Sequence, residues 1–314
     1  MHHNRYLPFF TMTDNKRVAI VIVNWNGKEN TLLCLSSLVK LKKSGVTPFP
    51  VVVDNNSQDG SVFAIRKQFP GILVVESSHN EGFVGGTNRG IREALGRKAD
   101  FIWLLNNDTV VDPDALSLVN AFEDVQVGVV GSKIYFAKGF EYHKDRYGAN
   151  VLGKVLWYAG GLIDWSNMYA SHRGVDDVDT GQYDVGEETS FVTGCSMMIR
   201  KETLERIGLL DPAYYLYLED LDFCLRARRA GFTLWYEPRS VVWHRNASSS
   251  GGPGNPLHEY YMTRNRFYLG MRYAPIRTKF SLLREGVRFL VAGGLKRRAT
   301  LDAISGRMGK QYEP

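Results

Sequence analysis

The 314-residue chain is 44% hydrophobic and 23% charged, which suits a globular fold of one large domain or two small ones. Its 39 Lys and Arg exceed its 33 Asp and Glu by six, and the excess sits in the tail: from Arg264 to Pro314 twelve basic residues face three acidic ones. No stretch reaches the roughly 18 apolar residues needed to span a bilayer, and the apolar patch Tyr6 to Met12 lacks a signal-peptide pattern, so a cytoplasmic location is expected. Cys34, Cys195 and Cys224 show no CxxC spacing and read as buried, reduced thiols.

In chain order, Arg17 to Val23 is a β-branched run that reads as a buried strand ending in the turn Asn24-Trp-Asn-Gly27. A helical pattern follows through Leu32, Leu35 and Leu38. Val51 to Val53 makes a second strand, emptying into Asp54-Asn-Asn-Ser-Gln-Asp-Gly-Ser61 ahead of a helix to about Gln68. Ile72 to Val75 is a third strand, followed by the glycine-rich segment Asn80 to Gly90 and a helix to about Leu95. Phe101-Ile-Trp-Leu-Leu105 is the fourth strand and breaks into Asn106, Asn107, Asp108 and Thr109. Strand, polar loop and helix repeated in this way predict βα units on a parallel sheet, with Asn24, Asp54, Asn80 and Asp108 on one rim.

Those rim residues have a logic for nucleotide binding. Glycines allow close backbone approach, a helix N-terminus favours anions, and an Asp at a strand end accepts hydrogen bonds from a base or ribose. Gly82-Phe-Val-Gly-Gly86 is not a GxGxxG fingerprint and follows the third strand, which disfavours a nicotinamide enzyme. The competing reading of Asn106 to Thr109 is a plain β-turn.

Beyond Asp112 a helix to about Asp124 and a strand from Val127 to Val130 are expected. Residues 140–190 are aromatic and irregular; Trp157, His172 and Arg173 either line a sugar site or belong to packed hairpins. Phe191 to Ile199 reads as a glycine-kinked strand, and Glu202 to Ile207 as a helix. In Tyr214 to Arg226, a helix starting near Glu219 sets Asp222 four residues before Arg226 for an ion pair and leaves Glu219 and Asp220 to face a cleft. Leu234 to Glu237 and Ser240 to Trp243 read as two strands, the second ending in His244. Ser248 to Gly254 reads as a loop able to act as a lid. From His258 the chain reads as helical.

These motifs together resemble the family-2 glycosyltransferases of GT-A fold, in particular their rhamnosyltransferase-like branch. The resemblance runs from about Val18 to Tyr273 and rests on Val23-Asn-Trp-Asn-Gly27, Asp54 to Ser61, Asn80-Glu-Gly-Phe83 with Gly85 and Asn88, Leu105-Asn-Asn-Asp108, Glu219-Asp-Leu-Asp222 and His244. It implies an α/β GT-A fold: a Rossmann-like, mainly parallel sheet flanked by helices, a smaller acceptor-side region and a C-terminal helical tail. The division expected is an extension at 1–16, a nucleotide-sugar half at 17–130, an acceptor and catalytic half at 131–257, and a basic helical segment at 258–314.

The resemblance also implies roles. Asn24, Asp54, Asn80, Gly82 and Asn88 line the nucleotide-sugar pocket, and Asn106, Asn107 and Asp108 occupy the DxD position, where Mg²⁺ or Mn²⁺ holds the donor diphosphate. His244 approaches that metal, and Asp220, beside Glu219, is the base of an inverting transfer. The DxD position here has one carboxylate, Asp108, in place of two. The expected donor is a dTDP-, UDP- or GDP-linked sugar, and the expected acceptor a glycan, lipid-linked or other glycoconjugate hydroxyl.

The tail carries Arg284, Arg288, Lys296, Arg297 and Arg298 among Phe280, Leu282, Leu283, Val287, Phe289 and Leu290. This pattern suits the inner face of an anionic membrane, or packing on the domain or in a homodimer; no nucleic-acid motif accompanies it. Two other functions compete. A sugar nucleotidylyltransferase needs a basic glycine-rich loop after the first strand, where this chain has Asn24-Trp-Asn-Gly27. A non-catalytic nucleotide- or sugar-binding module needs no base.

Overall fold

The computed structural model describes residues 15–43, 45–245 and 254–313. The patch Tyr6 to Met12, and all of the expected lid loop but Gly254, lie outside the described residues.

The N-terminal half follows the βα pattern. Strand β1 (Lys16–Asn24) leads to α1 (Lys28–Leu38), β2 (Val46–Asp54) to α2 (Ser61–Gln68), and β3 (Leu73–Glu76) to α3 (Gly82–Gly96). Strand β4 (Phe101–Leu105) is followed by the short β5 (Thr109–Val111). Strands β3, β2, β1 and β4 are mutually parallel in that order. The apolar runs of β1, β2 and β4 are buried on both faces, as the unalternating sequence requires, while β3 at the end of the sheet is half-buried.

The second half extends the same sheet. Strand β6 (Val127–Phe136) pairs with β7 (Leu156–Tyr158), and a small hairpin of β8 (Gly161–Asp164) and β9 (Tyr169–His172) stands apart. After β10 (Glu187–Glu188) comes β11 (Ser196–Arg200), which fits between β4 and β6 antiparallel to both. Helix α4 (Lys201–Ile207), helix α5 (Glu219–Arg229) and β12 (Thr233–His244) follow, with β12 parallel to β6.

Several local expectations differ from the structure. The segment 112–124 forms a 3-10 helix (Ala115–Glu123), and the strand expected at Val127 to Val130 runs on to Phe136. The two strands expected before His244 are one, β12, with a register shift between Glu237 and Val241. The irregularity absorbs Pro238, Arg239 and Ser240, so the interruption in apolar pattern marks a bulge and not a chain reversal. Only Ser196 onward of the expected 191–199 strand is extended into the sheet.

The glycine-rich segment is helical from Gly82, and its glycines approach protein rather than open space. A Cβ on Gly90 would run into Val21, and one on Gly82, where φ is +73°, into the Tyr215 ring. The Gly90 contact seats α3 on β1 and β2, and the Gly82 contact seats its start against the loop before α5. Three tail helices complete the chain: α6 (Pro256–Tyr273), α7 (Ile276–Ala292) and α8 (Gly294–Ile304). Asn255 caps α6 by accepting from the His258 N–H at 2.8 Å, with Pro256 in the first turn.

Candidate active site

The carboxyl ends of β1, β2, β4 and β12 share one edge of the sheet with the start of the antiparallel β11, and the chemistry-bearing side chains collect there. At the ends of β1 and β2, Asn24 and Asp54 are register partners. The Asn24 amide donates to Asp54 Oδ1 at 2.8 Å and to Ser57 Oγ at 3.0 Å, while its carbonyl accepts from Thr31 Oγ1 at 2.7 Å. Asp54 Oδ2 accepts from the Ser57 N–H at 2.9 Å, an Asx-type turn that shapes the loop after β2. Asn107 joins this network, donating to Thr31 Oγ1 at 3.1 Å and Asn24 Oδ1 at 3.3 Å. Buried Asn24, Asp54 and Asn107 thus brace the β1, β2 and β4 loops against one another.

One residue on, Asp108 turns the other way. Its Oδ1 lies 3.1 Å from His244 Nε2, and both side chains are buried. The Arg245 N–H donates to the Asp108 carbonyl at 2.8 Å, and His244 is in register with Thr109 of β5. The short β5 therefore sets Asp108 beside the end of β12. Burial alone would lower the His244 pKa, but the Cys195 sulfur and the Asp108 carboxylate overcome it and hold the ring well above its usual value. Cys195 is itself a buried thiol whose pKa is pushed up, so Asp108 is the anion on which the imidazolium rests. Trp157 stands edge-on to His244, ring centroids 4.6 Å apart, and His244 Nδ1 is buried with no hydrogen-bond partner.

The acidic pair lies across β11. Asp220, half-buried in the first turn of α5, accepts from the Gly194 N–H at 2.9 Å and the Leu221 N–H at 2.8 Å. Its neighbour Glu219 is buried, and Glu219 Oε2 has no partner. Burial first, and the Asp220 charge second, push the Glu219 pKa up to about 8. Burial also raises Asp220, against the opposing pull of its N–H donors. Burial thus raises both acids of the pair, and two backbone N–H groups favour the charged form of Asp220. Cys195, between the two halves, feels the fields of His244, Asp108 and Asp220 together. As the sequence pattern predicted, Asp222 is occupied elsewhere: Arg226 Nε donates to it at 2.7 Å.

Two further expected residues lie on the α3 flank. Asn80 Oδ1 accepts from the Gly82 N–H at 2.9 Å, and the Val84 N–H donates to the Tyr215 carbonyl at 3.2 Å, so protein groups meet this helix N-terminus. Asn88 clamps the Leu210 backbone through both its amide atoms, at 2.8 and 3.0 Å. Asn80 and Asn88 help line a cavity of about 710 Å³ with Arg92, Tyr215 and Arg272, whose walls do not include Asp54, Asp108 or Asp220. The side chain of Asn106 is half-buried, while its backbone N–H donates to the Cys195 carbonyl at 3.0 Å and ties β4 to the turn before β11.

The sequence did not point to the device that holds the acidic pair. Tyr215, Tyr217 and Leu218 all have positive φ, a conformation costly for such side chains. The Asn265 amide on α6 donates to the carbonyls of Tyr214, Leu216 and Tyr217 at 2.8–3.1 Å, and the fully buried Arg264 donates to those of Ala213 and Tyr214. The legible signal was a polar pair on a helix face otherwise made by Tyr261 and Tyr268, at i, i+3, i+4 and i+7 spacing.

The sequence matches the model of the family described as "Glycosyltransferase like family 2" over residues 15–269. The chain belongs to this family. Among relatives of this glycosyltransferase, the N-acetylglucosaminyl-diphospho-decaprenol L-rhamnosyltransferase of Mycobacterium tuberculosis is 24% identical over 82% of this chain and 88% of its own. The dTDP-rhamnosyl transferase RfbF of Shigella flexneri is 23% identical over 81% and 80%. The low-salt glycan biosynthesis hexosyltransferase Agl10 of Haloferax volcanii is 26% identical over 71% of this chain, which spans 65% of that relative.

Solved structures give the fold. A mannosyltransferase from Pyrobaculum calidifontis, in complex with GDP-Man and Mn²⁺, aligns with TM-score 0.55 and 17% identity over 94% of this chain and 81% of its own. GalNAc-T7 with UDP, GalNAc and Mn²⁺ aligns with TM-score 0.58 and 16% identity over 80% of this chain and 48% of its own. The architecture is that of the GT-A glycosyltransferases.

Proposed function

We propose that this glycosyltransferase is inverting and moves rhamnose, or a similar hexose, from a nucleotide diphosphate sugar to a hydroxyl of a lipid-linked or other glycan acceptor. The donor half is residues 17–130 and the acceptor half 131–257. The observation that carries the reading is the placing of Asp220, held by the Gly194 and Leu221 N–H groups beside buried Glu219, on the sheet edge that also carries Asp108 and His244. The two rhamnosyltransferase relatives, each covered over most of its length, support the choice of sugar.

In this account Asp54, set by Asn24 and Ser57, accepts hydrogen bonds from the base, and a donor reaching Gly82, Asn80 and Asn88 extends from Asp54 toward the separate cavity that the two asparagines line. The acceptor hydroxyl oxygen attacks the anomeric carbon as the bond from that carbon to the diphosphate oxygen breaks. Asp220 takes the hydroxyl proton, and the N–H groups of Gly194 and Leu221 hold its carboxylate in place. Burial of Glu219 disfavours a second negative charge beside the base.

The residues fit a divalent cation. Asp108 offers a carboxylate oxygen, and His244 beside it would add a nitrogen donor once a cation displaced the proton that Asp108 now holds on its ring. Among the described residues no group of three or more His, Cys, Asp or Glu forms a site from protein alone, so the donor's own phosphates would complete the shell. Bound by Asp108 and His244, Mg²⁺ or Mn²⁺ would neutralise charge on the departing diphosphate.

The test is a donor screen with dTDP-, UDP- and GDP-sugars, with and without Mn²⁺, in which released nucleotide diphosphate and product configuration are read together. Turnover of dTDP-rhamnose with inversion at the anomeric carbon is expected. A product of retained configuration overturns the mechanism. Nucleotide binding without turnover, when an N-acetylglucosaminyl-diphospho-polyprenol acceptor is supplied, favours a non-catalytic binding module.

A further inference from the structure

Helix α7 exposes an apolar stripe. Ile276, Phe280, Leu283, Val287 and Val291 are between 43 and 84% exposed. At about 100° per residue their spacing confines them to an arc of about 80°. The opposite side of the helix is the one that packs: Thr278, Leu282 and Gly286 are buried, with Leu282 against Gly270 and Gly286 against Phe267 of α6. The stripe is thus a second apolar face, distinct from the one the fold uses, and about 22 Å long from Ile276 to Val291.

Its borders are basic. Arg284, Arg277 and Arg288 follow the stripe on one side within about the next 60° of arc, and Lys279 lies on the other. The one acidic residue of α7, Glu285, is drawn away to Arg266 of α6 at 2.8 Å. Among the described residues no carboxylate pairs with Arg277, Lys279, Arg284 or Arg288. Apolar side chains centred between cations match the layering of a bilayer surface, acyl chains beneath anionic headgroups.

We infer that α7 lies in the interface of an anionic membrane, with Phe280 and Val287 at the centre of the inserted face. A second copy of the chain fits this face less well. The midpoint of the stripe falls at Leu283 and Arg284, so a two-fold axis there sets Arg284 against its own copy. No helix of the described residues is long and apolar enough to cross a membrane. The docking face is tied to the catalytic loop through α6, which packs on α7 and holds residues 213–217 with Arg264 and Asn265.

The test is flotation of the full chain with vesicles of phosphatidylcholine alone or of phosphatidylcholine mixed with phosphatidylglycerol. Binding to the anionic vesicles and not to the neutral ones is expected. Phe280→Ser with Val287→Ser lowers the bound fraction about tenfold, and Arg284→Gln with Arg288→Gln abolishes the preference for phosphatidylglycerol. All four positions are exposed, so an unchanged melting temperature accompanies both results. Failure of the wild-type chain to float, or flotation unaffected by the Phe280 and Val287 changes, overturns the inference. So does a dimer in sedimentation that those changes dissociate, which assigns the face to a second copy. None of these readouts requires turnover, so the inference and the proposed activity fail separately.

Discussion

Asp108 Oδ1 and His244 Nε2 stand 3.1 Å apart, although 136 residues of chain separate them. Strands β5 and β12 make the meeting unavoidable, because their register sets His244 opposite Thr109. Asp108→Ala leaves a buried imidazole without its anion. We expect a loss of about 1–3 kcal/mol in urea denaturation and loss of Mn²⁺-dependent donor binding. Donor affinity that stays unchanged in Mn²⁺ would separate Asp108 from the diphosphate.

The Glu219 proton makes stability depend on pH. Its folded pKa of about 8 lies above its ordinary 4.5, so the native state binds more protons than the unfolded state between those values. Stability therefore falls as pH rises through that window. Glu219→Gln removes the penalty: its advantage over the wild type is absent below pH 4.5 and grows to the order of a few kcal/mol near pH 8. Melting curves across the range check this, and a difference independent of pH contradicts it.

Asn265 satisfies three carbonyls of a strained loop with one amide. Asn265→Ala should cost about 1–3 kcal/mol of stability. It should also lower kcat about tenfold or more by releasing the turn before Asp220, with donor dissociation constant unchanged. A fall in donor affinity with kcat intact would assign the loop to donor binding instead.

Gly90 tests the seating of α3 on the sheet. A Cβ there meets Val21, so Gly90→Ala should destabilise by about 1–3 kcal/mol through overpacking. Equal midpoints for variant and wild type in urea would show that the helix can shift at little cost.

The βα frame was legible because each of β1, β2 and β4 is an apolar run that stops at a polar turn, a pattern carried by sequence alone. The direction of β11 was not legible, since periodicity is the same for parallel and antiparallel strands and only pairing with β4 and β6 fixes it. Glycines 82, 86 and 90 announced close approach but not its object. The object is Tyr215 and the strands, contacts made across distant sequence. Asp222 was set apart because its partner Arg226 lies one turn away, whereas the Arg264 and Asn265 bonds to residues 213–217 span about fifty residues, so the polar pair on its helix face signals burial but not its partner.

The role of Asp220 as base is the central claim, and single-turnover transfer by Asp220→Asn tests it most directly when donor binding is measured in parallel. The account predicts that transfer slows on the order of a hundred- to ten-thousand-fold while donor affinity stays near that of the wild type. Transfer at an undiminished rate would contradict it.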